Sequence, residues 1–134
     1  MRDAFAKVSE FHRAFGVPNP SEPTTISLGR FELRNKLIEE EYQEYKDAVA
    51  LGDLSGIADA LADLAYVAIG TAVEHGLVRF GEMFDEVQRS NMSKLGADGK
   101  PMYREDGKVI KGPNFSTPDL TPFLTPSQHQ PKEG

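Results

Sequence analysis

An all-α bundle of four to five helices is the fold class predicted for this chain, and three patterns predict it. Residues 57–73 are apolar at 13 of 17 positions, on every side of a helical wheel, as in a buried helix. Residues 28–51 carry apolar side chains at helical spacing between a capping Ser27 and a terminating Gly52. Two further stretches, after Asp3 and after Arg79, show the same spacing.

The first helix begins where Asp3 can cap it, with Phe5, Val8, Phe11 and Phe15 on one inward face. Gly16, Pro18 and Pro20 stop it, so residues 16–25 form a loop. Ser27 caps a second helix from Leu28 to about Leu51, whose inward stripe reads Phe31, Arg34, Ile38, Glu41, Tyr45 and Ala48. Glu41 therefore falls on the apolar face, with Glu44 beside it. Asp53 or Ser55 caps a third helix that runs to about His75, and Gly76 is its left-handed stop. A fourth helix, about Arg79 to Lys94, turns Phe80, Met83, Phe84 and Val87 inward.

Beyond Gly96 the character changes. Asp98-Gly99 and Asp106-Gly107 are turn dipeptides, and residues 101–104 and 108–111 predict a short hairpin around the second. A two-stranded ribbon is marginal alone, so it must lean on the helices or on a neighbouring subunit. From Gly112 onward come five prolines and little apolar material, which predicts an extended arm with a disordered end. The expected organisation is an all-α domain over 1–96, a hairpin or arm over 97–115 that completes the site or the oligomer, and a Pro-rich tail over 116–134.

Composition narrows the chemistry. With 134 residues, one domain is expected, small enough to gain from oligomerisation. Cysteine is absent, so any metal must be held by oxygen or imidazole, which favours hard cations. A net charge of -6 and a pI near 5.0 argue against a nucleic-acid polymer as partner. The N-terminus lacks the apolar stretch of a signal peptide, and the longest apolar run reads as too short and too acidic to span a bilayer. A cytoplasmic protein without a membrane partner is the expectation.

Asp59 and Asp63 stand one turn apart inside the greasiest helix, where a buried carboxylate must be protonated, paired or bound to a metal. Glu41 and Glu44 form a second two-carboxylate edge on the preceding helix. After a turn near Gly52 the two edges can meet antiparallel, and divalent cations are the ordinary compensation for converging carboxylates. Magnesium is the natural candidate, with manganese as a substitute. The structural alternative pairs Asp59 and Asp63 with Arg30, Arg34 or Lys36. Glu39 reads as solvated, and His12, His75 and His129 are dispersed.

Taken in order, Glu41-x-x-Glu44, a spacer and an acidic pair ending in Leu61-Ala62-Asp63-Leu64-Ala65-Tyr66 resemble the all-α nucleoside triphosphate pyrophosphohydrolases. This MazG-like superfamily also contains dimeric dUTPases and phosphoribosyl-ATP pyrophosphohydrolases. The likeness runs from Phe11-His12-Arg13-Ala14-Phe15-Gly16 to about Lys94, and Arg89-Ser90-Asn91-Met92-Ser93-Lys94 resembles the group's phosphate-contacting helix end. One departure concerns the second motif, usually Glu-x-x-Asp: its first position is Ala60 here, while an acid stands one residue earlier at Asp59.

The resemblance implies a MazG-like bundle with helices packed between subunits of a homodimer or homotetramer. It implies metal-dependent cleavage of a nucleoside triphosphate between the α- and β-phosphates, giving monophosphate and pyrophosphate. Two or more Mg2+ or Mn2+ ions would be held by Glu41, Glu44, Asp63 and Asp59, while Glu40 would bind an additional ion or position the attacking water. Glu40, Glu41, Glu44 and Asp63 are then the catalytic set. Lys94, helped by Arg89, Lys108 or Lys111, would stabilise the leaving pyrophosphate, and Asn91 would orient it. Phe11, Phe15, Tyr66 or Tyr103 would flank the base. Through Ser90 to Lys94 the likeness points to a purine substrate such as (d)GTP. The alternatives are a housekeeping hydrolase of dUTP or non-canonical dNTPs, and a helical interaction module without turnover.

Overall fold

Four α-helices and one 3-10 turn make up the computed structural model, which describes residues 1–125; strands are absent among them. The helices are α1 (Arg2–Phe15), α2 (Leu28–Ala50), α3 (Leu54–Glu74) and α4 (Phe80–Met92), and the 3-10 turn covers Thr121–Phe123. The chain forms two compact units, the first covering Met1–Val78 and the second starting at Arg79. An all-α class is therefore the observed one.

In the first unit, local chemistry sets the helix ends. Ser27 Oγ accepts the Arg30 backbone N–H at 3.2 Å, and Asp53 Oδ1 accepts that of Gly56 at 3.0 Å, so both helices start at side-chain caps. Asp3 is not a cap: α1 already begins at Arg2, and Asp3 lies in its first turn, where its charge favours the helix dipole instead. Gly76 ends α3 at φ 64°, in the left-handed region, and its missing Cβ admits the Glu22 carbonyl oxygen, which a methyl would meet at 1.9 Å. There the 16–27 loop is sewn down, with Thr24 N–H donating to the His75 carbonyl at 2.8 Å.

α3 packs against both α1 and α2. Val8, Ala48, Ala60, Ile69, Ala72 and Val73 supply the buried apolar contacts. Expected burial on every side of α3 is not what the chain alone provides, because two neighbours cannot enclose a cylinder: Leu61 is 46% and Tyr66 41% exposed. Phe11 and Phe15 of α1, expected inward, lie at the open side, stacked at 4.4 Å on each other, while Phe11 meets Tyr66 edge-on at 5.8 Å. Phe31 of α2 is exposed as well. The expectation of no segment long enough to span a bilayer also needs correction. With 21 residues, α3 passes that test by length and composition, since the helix continues past the apolar run. Asp59 and Asp63 still interrupt it.

The second unit is organised around α4. Its helix stops at Met92, two residues before the expected end, and of its predicted inward residues Met83 is buried whereas Phe84 and Val87 are exposed. The hairpin reduces to a single antiparallel bridge, Tyr103 to Val109, with Arg104 N–H donating to Lys108 O and Ile110 N–H to Met102 O, each at 2.9 Å. Residues 112–125 are tied to α4 rather than extended free. Ser90 Oγ–H donates to Ser116 O at 2.8 Å, Ser116 N–H to Ser93 Oγ at 2.9 Å, and Asp119 N–H to Glu86 Oε2 at 2.9 Å. The rest of the predicted tail, with His129, lies outside the described residues.

Candidate active site

Helical spacing places Glu41 and Glu44 on one edge of α2, and the short turn after Ala50 folds α3 back antiparallel, bringing Asp63 against that edge. One carboxylate oxygen from each of Glu41, Glu44 and Asp63 lies within 4.8 Å of the other two. Glu41 is half-buried, Glu44 exposed and Asp63 half-buried, so the triad sits at the mouth of the α2–α3 seam.

The electrostatics of this corner are unfavourable as it stands. Glu41 Oε2 is shut off from solvent and accepts no hydrogen bond. Desolvation by burial, then a hydrogen bond with Glu44, then the negative charges of Glu44, Asp63 and Asp59 push the Glu41 carboxyl up to about 6 from 4.5. Among the described residues no cation pairs with Glu41, Glu44, Asp59 or Asp63. Three hard oxygen donors, an orphaned buried lone pair and uncompensated negative charge fit a divalent cation such as Mg2+.

The structural alternative for the aspartates does not hold for the arginines. Arg30 and Arg34 instead clasp Glu74, a residue 1% exposed at the end of α3. Arg30 donates to it from Nε at 2.8 Å and Nη2 at 2.5 Å, and Arg34 from Nη1 at 3.1 Å. Lys36 makes no ion pair with either aspartate. Asp59 is exposed and stands outside the triad, touching it only through its charge on Glu41. Glu40 is also exposed and outside it, and Glu39 is solvated as expected, accepting from Asn35 at 3.3 Å.

The residues expected to contact phosphate belong to the second unit. Asn91 is exposed in the last turn of α4, and Lys94 follows it, half-buried, its carbonyl accepting Gly112 N–H at 2.7 Å. Arg89 is occupied: it clasps Glu86 with two 2.8 Å bonds and reaches Thr117 O at 3.2 Å, which makes it an anchor of the arm. Lys111 Nζ lies 4.7 Å over the Phe115 ring. In the first unit Tyr66 is partly exposed and Phe15 is 70% exposed beside Phe11. Sequence reasoning missed the Glu74 cluster and the burial of His12. Arg34 on the apolar stripe of α2 was the one visible signal, since a buried arginine needs an anion.

Acidic side chains at the seam of an antiparallel helix pair, with no cation paired to them among the described residues, make this an all-α protein with a candidate divalent-cation site. The phosphoribosyl-ATP pyrophosphohydrolase family model matches residues 8–91, more than half of the chain, and the protein belongs to that family. Members of the family are typically Mg2+-dependent, in keeping with the donor set. No curated protein matches the chain closely enough to refine this.

Proposed function

We propose that the protein hydrolyses a purine nucleoside triphosphate such as (d)GTP, converting (d)NTP and water to (d)NMP and pyrophosphate with Mg2+, or Mn2+ in its place. The convergence of Glu41, Glu44 and Asp63 around an unpartnered buried oxygen carries this reading. Two or more ions are assigned to the site, with Asp59 and Glu40 at its exposed rim. Bound Mg2+ would neutralise charge on the phosphate oxygens.

The chain's own groups have separable tasks. Glu41 and Asp63, anchored on two packed helices, hold their oxygens in place without needing to reorganise. Glu44, exposed beside them, closes the ligand set. Glu40 is assigned to orient the attacking water. Asn91 and Lys94 are assigned to the leaving pyrophosphate. Tyr66 and Phe15 are assigned to the nucleoside. Exposed Leu61 and Tyr66 on α3 support assembly as a homodimer or homotetramer, because a contiguous apolar face left in water is costly.

The family match favours a second reading, phosphoribosyl-ATP as substrate. A panel of canonical (d)NTPs, dUTP and phosphoribosyl-ATP, each with Mg2+ and scored separately for pyrophosphate and orthophosphate, decides between them. The expected result is pyrophosphate release, fastest with a guanine nucleotide and abolished by Asp63→Asn. Release of orthophosphate, or undiminished turnover in excess chelator, overturns the reading.

A further inference from the structure

The three helices of the first unit line a groove of about 210 Å³ that the carboxylate triad does not use. Its walls are Phe11, His12, Arg34, Leu37, Tyr66 and Val67. Leu37 precedes Glu41 by one turn on α2, and Tyr66 follows Asp63 by one turn on α3. In an antiparallel pair the groove therefore adjoins the triad, about 5–6 Å along the helix axes. Its volume suits one flat ring system rather than a whole nucleotide.

Two buried polar side chains face this otherwise apolar space. His12, 3% exposed, places Nδ1 2.9 Å from the Pro18 carbonyl oxygen. A carbonyl can only accept, so Nδ1 carries the proton, and Nε2 of the neutral ring is an acceptor with no partner among the described residues. Arg34 is held from three sides: Nε donates to Thr71 Oγ1 at 3.1 Å, Nη1 to Glu74 at 3.1 Å and Nη2 to Val67 O at 2.8 Å. Three of the five N–H groups of a guanidinium are thereby used, leaving one on each terminal nitrogen. Gly70 brings the pair together. A methyl there would lie 2.6 Å from Arg34 Nη2 and 3.1 Å from His12 Nε2, so the two atoms are no more than 5.7 Å apart.

We propose that this groove is a nucleobase subsite in which His12 and Arg34 are specificity-determining residues that select a lactam edge, a ring N–H beside a carbonyl. With the ring atom toward His12 and the exocyclic atom toward Arg34, His12 Nε2 accepts the ring N–H and Arg34 donates to the carbonyl oxygen, whereas an amidine would set a lone pair against Nε2 and an amino group against the guanidinium. Phe11 and Tyr66 supply flat walls for the ring faces. Guanine, hypoxanthine and uracil carry such an edge, whereas adenine and cytosine present an amidine. The inference rests on the reading of the protein as a nucleotide hydrolase with its phosphate end at the triad.

Two substrate pairs differ only in this edge: dITP against dATP, and dUTP against dCTP. With Mg2+ and the intact protein, kcat/KM is expected to favour the lactam member of at least one pair by roughly 100-fold or more, because a buried donor and acceptor left unmatched penalise the wrong base. In His12→Phe the ratio should fall below about tenfold. Equal or reversed preference in both pairs overturns the inference, as does an unchanged ratio in a folded His12→Phe. The wild-type comparison alone is decisive if that variant does not fold. Calorimetry of IMP against AMP in EDTA reads the groove without turnover: tighter IMP binding supports the subsite, and equal or absent binding of the two overturns it. Failure of every triphosphate to release pyrophosphate would instead overturn the proposed function.

Discussion

Replacing Glu41 with glutamine should move stability in opposite directions depending on whether Mg2+ is present. Without metal, the Glu41 carboxyl is held at about 6 instead of 4.5, first by burial and then by Glu44, Asp63 and Asp59. The folded state thus holds its proton more tightly than the unfolded chain, and stability falls as pH rises through the interval from about 4.5 to about 6. That displacement corresponds to about 2 kcal/mol at most. Screening at a half-buried carboxyl reduces the recoverable part to the order of 1 kcal/mol. Glu41→Gln removes the charge and keeps the shape, so in EDTA at pH 7.5 it should raise Tm by about 3–5 °C. At pH 4, where the wild-type carboxyl is already protonated, the difference should vanish.

Adding Mg2+ reverses the order. Wild-type protein gains stability by mass action, about 2.7 kcal/mol at a hundredfold excess over Kd, whereas the variant has lost the buried donor and should gain little. Thermal melts of both proteins at pH 4 and 7.5, with EDTA or with Mg2+, give the full comparison. A Glu41→Gln protein that is less stable than wild type in EDTA at pH 7.5, or that keeps the full Mg2+ shift, would refute the assignment of Glu41 as an uncompensated ligand.

Three further outcomes are expected. Glu74→Ala leaves Arg34 buried without its anion and should cost about 3–5 kcal/mol in urea denaturation, whereas a loss under 1 kcal/mol would mean the cluster is hydrated. Gly70→Ala sets a methyl 2.6 Å from Nη2 of the Arg34 guanidinium, a group held in place by three hydrogen bonds, one from each of its nitrogens, and should cost about 1–3 kcal/mol by the same method. Glu86 is held down to about 2 by its hydrogen bonds from Arg89 and then from the Asp119 amide. Its stabilising effect is present above about 4.5 and lost as pH falls towards about 2, so protection of the Asp119 amide against hydrogen exchange should decline over that interval and not above it.

Much of this architecture was legible because the signals were local. Ser27, Asp53 and Gly76 sit where the chain must start or stop a helix, and each does so through neighbours within a few residues or through its own backbone. The Glu41, Glu44 and Asp63 cluster was legible for a related reason: two spacings and one short turn suffice to bring them together. Periodicity failed where the answer depends on what covers a face. It marked Phe11, Phe15, Phe84 and Val87 as apolar-side residues, but no described element of their own unit buries them. Glu74 failed for the opposite reason, since its partners Arg30 and Arg34 lie 44 and 40 residues away.

The α2–α3 seam thus carries charge at both ends, and the difference between the ends separates architecture from chemistry. At one end, Arg30, Arg34 and Glu74 satisfy one another, and the Arg34 fork also binds Val67 O and Thr71 Oγ1, fixing the axial register of the two helices. Arg34 stands two turns before Glu41 on the same stripe, so the register it sets also decides that Glu41 faces Asp63. At the other end no described positive group pairs with Glu41, Glu44 or Asp63. A fold that supplies two arginines for one buried glutamate, yet none among the described residues for three converging carboxylates nearby, leaves excess negative charge that proton uptake at Glu41 relieves at low pH and a bound divalent cation would relieve at neutral pH. The paired end makes that excess sustainable, because a seam locked at Glu74 need not splay apart to relieve the repulsion at Glu41.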